Sequence, residues 1–315
     1  MRNNIPFISD DKVKELLPMN EAIELMEKAF IQISTGNVNL PQRVKLDMPE
    51  VNADSLIMPV YSSADKKYAV KIVSLNQDNP SQNLPFIHAI MILFNAENGK
   101  PIAILDAENL TAIRTGAASG LATKLLSKLN ASVAAIFGAG VQAKYQLKGI
   151  CTIREIKKVF LFEKNIDKAK SFKEELESES PITIHISIDQ SILKEAEIIC
   201  TATTSAVPVF KDESISPGTH INSIGSYQPT KREIPSETVK RSVVYVDSKE
   251  ACLMEAGDLI IPATEGNKII LSEIGEVLQN KKSGRTSGKE ITLFKSVGTA
   301  AQDLTCAIHI FEKLK

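Results

Sequence analysis

The chain has 315 residues, enough for two domains that each bury a hydrophobic core. Lysine and arginine together number 37 against 38 aspartates and glutamates, and the net charge of −1 gives no overall sign of a protein that binds nucleic acid or an anionic membrane. The composition therefore favours a small-molecule partner.

The sequence shows no targeting or membrane segment. The N-terminal stretch lacks an apolar core of signal-peptide length, and no later stretch has the apolar length of a spanning helix. The four cysteines lie far apart within apolar sequence, which predicts buried free thiols in a reducing compartment. The four histidines lack metal-ligand spacing, so we expect no metal site. These features predict a cytoplasmic protein.

The first part of the chain combines a helix with short strands. Residues 20–34 carry apolar side chains at helical spacing, which predicts an amphipathic helix capped by Asn20. Between residues 41 and 105, the β-rich pieces RVKLDM, AVKIVSL and HAIMILFN are separated by Asn, Gly and Pro, which predicts strands joined by turns. Residues 109–126 are rich in Ala and other small residues, as expected for a helix packed closely against a neighbour.

Beyond residue 130, short apolar strands alternate with helices. This alternation predicts an α/β fold with a doubly wound parallel sheet, covered by helices on both faces. The final stretch, GTAAQDLTCAIHIFEKL, predicts a helix that returns to the first lobe. The predicted strands are SVAAIF, KVFLF, EIICTAT, HINSI and SVVYVD.

A glycine-rich turn follows the strand SVAAIF. The residues GAGVQA at 138–143 fit the pattern G-x-G-x-x-A between a strand and a helix, where backbone N–H groups can reach a pyrophosphate. This context predicts a dinucleotide site. Glu163, at the end of the next strand, suits the ribose of NAD, whereas Lys164 suits the 2′-phosphate of NADP. Both cofactors stay open, and we expect NADP(H) to be favoured with NAD(H) possible.

Three bases in the first lobe stand among apolar or small residues: Arg43, Lys71 and Arg114. Taken singly, each is typical of a surface residue whose stem packs against apolar neighbours. Together they suit a small carboxylate, because arginine offers a bidentate fork and lysine a point charge. Their spacing alone does not show that they converge.

Five segments, taken in order, resemble the ornithine cyclodeaminase and mu-crystallin family, over about residues 43–310: LTAIRTGAASGLATKLL, IFGAGVQA, SIGSYQPTKREIP, VDSKEACLMEAGDL and ITLFKSVGTAAQDL. The resemblance implies a homodimer, with a Rossmann-type doubly wound parallel sheet inserted in a second α+β lobe that carries the substrate pocket and the dimer interface. We expect residues 1–120 with 296–315 to form the substrate-binding and dimerisation lobe. Residues 121–295 are then the dinucleotide-binding Rossmann domain.

The resemblance also implies roles for individual residues. Arg43, Lys71 and Arg114 are expected around the substrate carboxylate, and Ser296, Val297 and Gly298 where the lobes meet. Lys71, Arg114 and Tyr227 are the expected catalytic residues, and Ser226 and Gly298 join the three bases as expected substrate ligands. The expected cofactor-binding residues are Gly138, Ala139, Gly140, Val141, Gln142, Glu163, Lys164, Thr203, Gly225, Lys231 and Val297.

The segment Gly225-Ser226-Tyr227 departs from part of the family. Cyclodeaminase and alanine dehydrogenase relatives carry Gly-Ala-Asp or Gly-Gly-Asp here, and that Asp handles protons at the amine or the attacking water. Its absence argues against ornithine cyclisation and alanine oxidation, since both need a group that takes protons. A cyclic imine that enters already protonated needs only a positioned hydride donor. In this respect the segment is similar to pyrroline-2-carboxylate and ketimine reductases.

The sequence therefore predicts NAD(P)H-dependent reduction of Δ1-pyrroline-2-carboxylate to L-proline, with piperideine-2-carboxylate, which gives L-pipecolate, as a possible second substrate. One alternative is an amino-acid dehydrogenase or ornithine cyclodeaminase that uses a replacement base. Another is a non-catalytic NADP-dependent small-ligand binding protein. Tyr227 either donates a hydrogen bond in the site or only packs beside the nicotinamide. Lys231 and Arg232 are expected to face phosphate or solvent, and Glu233 to anchor the loop.

Overall fold

The computed structural model describes residues 4–82 and 84–314. The chain divides into two compact units. The first unit runs up to Arg114 and resumes at Thr299, and the second unit is Thr115–Gly298. The functional lobes predicted from the sequence, with boundaries at residues 120 and 296, stay a prediction. Their outermost residues, 1–3 and 315, lie outside the described residues.

The helices predicted over residues 20–34 and 109–126 and in the final stretch are present, together with short helices that the sequence did not indicate. The Asn20 cap is wrong, because the helix begins one residue earlier, at Met19, behind Pro18. Pro18 occupies the N-cap position with an extended backbone, and its ring fixes φ. No side chain caps this end of the helix. The helices are α1 (Asp10–Leu16), α2 (Met19–Ser34), α3 (Glu108–Leu126), α4 (Val141–Ile153), α5 (Ile166–Glu179), α6 (Ser236–Arg241), α7 (Lys249–Glu255), α8 (Gly257–Thr264), α9 (Ile274–Leu278) and α10 (Ala300–Lys313).

A mixed sheet forms the centre of the first unit. Its last four strands make an antiparallel meander, two short strands pair with the meander's first strand, and the N-terminal strand runs parallel to its last. The segment Glu97-Asn98-Gly99 joins two of these strands, with Gly99 at φ +71°. The strands are β1 (Phe7–Ile8), β2 (Val38–Asn39), β3 (Val44–Met48), β4 (Ala53–Ser62), β5 (Lys67–Asn76), β6 (Ile87–Asn95) and β7 (Pro101–Asp106).

One face of this sheet is covered by helices. Side chains alternate along β5, so Ala69, Lys71 and Val73 lie on the buried face. Helix α10 contacts α2, β4 and β5 there. The prediction that the last helix returns to the first part of the chain is therefore confirmed.

The second unit contains a parallel sheet in the order β10-β9-β8-β11-β12-β15-β13-β14. The strand order reverses between β8 and β11, which is the switch point where ligands bind in such sheets. The predicted α/β class with a doubly wound parallel sheet is confirmed. The strands are β8 (Val133–Phe137), β9 (Lys158–Phe162), β10 (Thr183–Ile186), β11 (Ile198–Thr201), β12 (His220–Ser223), β13 (Ser242–Val246), β14 (Leu271–Glu273) and β15 (Ile291–Lys295).

Helices α3 and α4 approach each other very closely within the second unit. A Cβ atom added at Gly116 would lie 2.2 Å from the carbonyl oxygen of Tyr145, and one added at Gly149 would lie 2.2 Å from the carbonyl oxygen of Gly116. Only glycine allows the two backbones to come this near. The expected close packing of the small-residue helix is confirmed.

Candidate active site

A buried carboxylate joins two of the three predicted bases in the first unit. Asp303 Oδ2 accepts a hydrogen bond from Lys71 Nζ at 2.6 Å, and its Oδ1 accepts one from Arg114 Nε at 3.0 Å. Lys71 and Asp303 are 0% exposed and Arg114 is 5% exposed. Lys71 also donates to the Thr111 hydroxyl at 3.3 Å. The two bases therefore do converge, on an acidic residue that the sequence reasoning did not single out.

Local structure fixes the position of Asp303. Helix α10 begins with a capping box, in which the Thr299 backbone N–H donates to Gln302 Oε1 at 2.7 Å. Asp303 follows in the first turn, where the helix dipole stabilises a negative charge. Gln302 Oε1 also accepts from Arg114 Nη1 at 3.4 Å. The same amide therefore caps the helix and contacts the arginine.

Charge and burial act against each other in this cluster. Burial lowers the pKa of Lys71 to about 7, although the Asp303 carboxylate acts in the opposite direction. Arg114 and the half-buried Arg43 lower this pKa further, which places Arg43 within electrostatic reach of Lys71. Burial favours the neutral form of Asp303, but Arg114 and Lys71 hold the pKa of its carboxyl below the ordinary value. Two buried bases thus share one carboxylate, and Arg43 acts on Lys71 electrostatically.

The glycine-rich turn in the second unit has the geometry of a phosphate cradle. Gly138 adopts φ +97°, and a Cβ atom there would lie 2.7 Å from the carbonyl oxygen of Ala202. Gly140 precedes α4 with open space where a Cβ would stand, and no side chain caps this helix. Its first N–H groups therefore point towards open space at a helix N-terminus, as pyrophosphate binding requires.

Two neighbours of this turn also fit a dinucleotide. The side-chain oxygen of Gln142 is buried without a hydrogen-bond partner among the described residues. Glu163, after the end of β9, accepts the backbone N–H of Ala139 at 3.0 Å and that of Asn165 at 2.9 Å. The carboxylate is therefore held against the turn, at the position that contacts the adenosine ribose in this fold. Val141 and Lys164 are exposed beside it.

Glu233 holds together the loops that follow β11 and β12. Its carboxylate accepts hydrogen bonds from Thr203 N at 2.7 Å, Thr203 Oγ1 at 2.7 Å, Thr201 Oγ1 at 2.9 Å and Gly225 N at 2.8 Å. A Cβ atom at Gly225 would lie 2.6 Å from Glu233 Oε1, so a larger residue would displace the carboxylate. Burial and the nearby Asp258 raise the pKa of Glu233. The expectation that Glu233 anchors this loop agrees with these contacts.

A second buried carboxylate, that of Asp258, holds the same loop in place. Asp258 Oδ1 accepts the backbone N–H groups of Glu233 and Ile234 at 2.7 and 2.9 Å. Its Oδ2 lies 2.8 Å from Lys295 Nζ, which also donates to the Ser226 carbonyl at 2.5 Å. Lys295 and Asp258 are both 0% exposed. Sequence reasoning missed both residues.

The side chains of the segment 226–232 are mostly engaged within the second unit. The Ser226 hydroxyl is buried and donates to the Lys231 carbonyl at 2.7 Å. The Tyr227 ring is half-buried and packs against the hydrophobic core of the unit. Arg232 lies 3.1 Å from Glu265 and Lys231 is half-buried. In this conformation Ser226 acts inside its loop, and its predicted contact with substrate stays a prediction.

The residues after β15 are also fixed by a carboxylate. Asp247 accepts hydrogen bonds from the Ser296 hydroxyl at 2.6 Å and from the backbone N–H groups of Val297 and Gly298 at 3.1 and 2.8 Å. Gly298 adopts φ +75°, which favours glycine. The predicted site residues 296–298 therefore form a rigid turn.

Comparisons with known proteins identify the family of the chain. The model of the ornithine cyclodeaminase/mu-crystallin family matches residues 6–315. The chain belongs to this family. A family member from Bacillus cereus, Δ1-pyrroline-2-carboxylate reductase, is 35% identical over 97% of this chain and 95% of its own length.

Two solved structures of family members share the fold along nearly the whole chain. The Thermococcus litoralis Δ1-pyrroline-2-carboxylate reductase, in complex with NADH and L-proline, is 39% identical with a TM-score of 0.94, covering 98% of this chain and 97% of the other. An archaeal alanine dehydrogenase dimer with bound NAD is 32% identical with a TM-score of 0.90, covering 98% and 95%. Within residues 4–82 and 84–314, no helix is both long and apolar enough to cross a membrane.

Proposed function

We propose that the protein is an NAD(P)H-dependent Δ1-pyrroline-2-carboxylate reductase that forms L-proline and also accepts the six-membered imine. The observation that carries the proposal is the buried pair Lys71 and Arg114 in the first unit, two cations that share the single carboxylate of Asp303. Such an excess of positive charge suits an anionic ligand, and a carboxylate matches the arginine fork. The similarity to the two pyrroline-2-carboxylate reductases supports the same substrate.

The reaction divides between cofactor chemistry and positioning by the protein. A bound nicotinamide supplies a hydride to the imine carbon. The backbone N–H groups at the start of α4 would hold its pyrophosphate, and Glu163 its ribose. Arg43, Lys71 and Arg114 would bind and orient the substrate carboxylate. Lys71 can also hold a proton near the substrate nitrogen, because its pKa of about 7 suits proton transfer at neutral pH.

Two further candidate activities are decided by the same assay. Alanine oxidation is the second enzymatic candidate, since the archaeal alanine dehydrogenase is 32% identical. Against it stands the sequence Gly225-Ser226-Tyr227, which lacks the acid that the family resemblance places in dehydrogenases and cyclodeaminases. A non-catalytic binding protein would bind cofactor without turnover. The buried bases Lys71 and Arg114, held together by Asp303, support an enzyme over such a binder.

The deciding experiment measures oxidation of NADH and, separately, NADPH on adding Δ1-pyrroline-2-carboxylate at neutral pH, with L-proline identified as product. Parallel reactions test NADH formation from alanine with NAD and ammonia release from ornithine. We expect rapid oxidation only with the imine. Protein that binds cofactor but oxidises neither NADH nor NADPH would exclude the reductase.

The preferred cofactor is part of the proposal. Lys164 led to the expectation of NADPH from the sequence, but the Glu163 carboxylate, held against the Gly138 turn, would repel a 2′-phosphate. We therefore propose that NADH is used at least as well as NADPH. Glu163→Ser should shift the ratio of kcat/KM values towards NADPH by about tenfold, equivalent to 1.4 kcal/mol. Lys164→Ala is the matched control and should shift it the other way; an unchanged ratio in both variants would contradict these roles.

A homodimer is supported by the outer face of the mixed sheet. On this face, the pairing of β4, β5, β6 and β7 aligns apolar side chains in three adjacent rows. A surface this apolar is unusual for a monomer and is typical of an interface between subunits. In one row the Tyr68 and Phe94 rings stack at 4.5 Å. The rows are Ile57–Ile72–Ile90, Pro59–Val70–Ile92–Ile104 and Tyr61–Tyr68–Phe94.

Sedimentation tests this surface directly. The wild type should sediment as a dimer, and Ile72→Asp should convert it to a monomer because it places a charge in the middle of an apolar row. Ile188→Asp makes the same change at a more exposed position of the second unit; it is the control and should leave the dimer intact. A monomeric wild type would contradict the proposal.

We also propose, from the sequence alone, the division into substrate and cofactor lobes and a cytoplasmic location.

A further inference from the structure

Asp303 is the only acidic side chain hydrogen-bonded to Lys71 and Arg114 in the described part of the chain, and it uses both carboxylate oxygens for these contacts. Its side chain has no exposed surface, and Lys71 and Arg114 are almost as deeply buried. Cations buried this deeply need a partner, because an unpaired charge in a low dielectric is expensive. The arrangement of both bases therefore depends on one carboxylate.

We propose that Asp303 is a positioning residue for the reduction, which fixes Lys71 and Arg114 in one arrangement and favours the charged form of Lys71, so that both cations can act on the substrate. This inference rests on the proposed function. It assigns to the last helix of the chain a role that depends on charge as well as on packing.

The groups around Lys71 define how it titrates. Asp303, from α10, is the acid that favours its charged form, whereas Arg114, from α3, and Arg43, before β3, disfavour it. Thr111, also on α3, contributes a neutral hydroxyl. Cys306, one turn after Asp303, is also buried beside these charges, and burial, with Asp303, keeps it a neutral thiol. Removing the charge of Asp303 therefore removes the carboxylate that is hydrogen-bonded to Lys71, while the charges of Arg114 and Arg43 stay.

The main test is Asp303→Asn, which keeps the shape of the side chain and removes its charge. We expect the pKa of Lys71 to fall, so that the alkaline limb of the kcat/KM profile moves at least one unit to lower pH, which is about a tenfold loss of activity on that limb. The loss should be smaller at pH 6 than at pH 8. Binding of NADH, measured by nicotinamide fluorescence, should stay as in the wild type, because the glycine-rich turn belongs to the second unit.

Controls separate this role from a structural one. Asp303→Glu keeps the charge and should return the alkaline limb towards its wild-type position. Thr305→Ala removes another buried polar side chain from α10 and should leave the limb in place. A folded Asp303→Asn protein that binds NADH and has the wild-type limb would overturn the inference.

Lys71→Arg provides a measurement that does not depend on changing Asp303. Arginine stays protonated throughout the assay range, so any part of the alkaline limb that belongs to Lys71 must disappear. A limb that persists unchanged in this variant belongs to another group and also overturns the inference. Wild-type protein that binds NADH without reducing the imine would instead refute the proposed function, so the two failures are distinguishable.

Discussion

In the first unit, the bases Lys71 and Arg114 share the single carboxylate of Asp303, whereas in the second unit one base, Lys295, lies beside Asp258 and near Glu233. The hydrogen bonds of Asp303 go to side chains. Glu233 and Asp258 instead each accept two backbone N–H groups of loops, in addition to side-chain donors. Buried charge is therefore used in two ways: two cations that share one carboxylate suit an anionic ligand, and carboxylates that also accept backbone N–H groups fix the shape of loops.

The largest expected effect is a loss of stability when a buried carboxylate of the second unit is removed. Asp258→Ala leaves the Lys295 ammonium and two backbone N–H groups buried without their partner, which should lower the free energy of unfolding by about 3–5 kcal/mol. Urea unfolding measures this loss. Glu213→Ala removes an exposed carboxylate and should change stability by less than about 0.5 kcal/mol. Equal stability of the two variants would contradict the stabilising role of Asp258.

In the first unit, loss of a buried base should lower the rate of imine reduction. Arg114→Ala should lower kcat/KM for the imine about 100-fold, because a charged hydrogen bond contributes about 1.5–3 kcal/mol, while NADH affinity stays unchanged. Arg114→Lys should recover only part of the activity, since it lacks the fork. Lys124→Ala, at an exposed position of the same helix, is the control for loss of a positive charge. Full activity of Arg114→Ala would remove this residue from the site.

The smallest effect is a pH dependence of the second unit. Burial lowers the pKa of His220 to about 3, and its ring lies 3.0 Å from the Thr292 hydroxyl and 3.1 Å from the Asn222 side-chain oxygen. The unfolded chain binds a proton below its ordinary pKa near 6.5, so stability is lost as pH falls below that value. At pH 5.5 the loss should be about 1.4 kcal/mol relative to neutral pH.

Urea unfolding at pH 7.5 and 5.5 measures this difference. In His220→Gln, which keeps a polar side chain that does not titrate, the pH-dependent part should disappear. A variant with the same acid sensitivity as the wild type would assign the effect to other groups.

The sequence predicts the parts of this molecule that depend on local pattern. The strands around Lys71 and the GAGVQA turn follow from alternation and from glycine spacing. Asp303 could not be found in this way, because an acid in the first turn of a helix is usually explained by the helix dipole. Its partner Lys71 is 232 residues away in the chain. Lys295 could not be found either, because a lysine at the end of a strand is usually exposed. Only the tertiary fold shows that it is buried.

The position of Asp303 in the last helix has a consequence for synthesis on the ribosome. Lys71 emerges early but acquires its carboxylate only when residues 300–313 have left the exit tunnel. The inserted second unit, by contrast, is complete before that helix is made. We therefore expect the second unit to fold first during translation and the first unit to be completed only when residues 300–313 are available to it, the reverse of the usual N-terminal-first order.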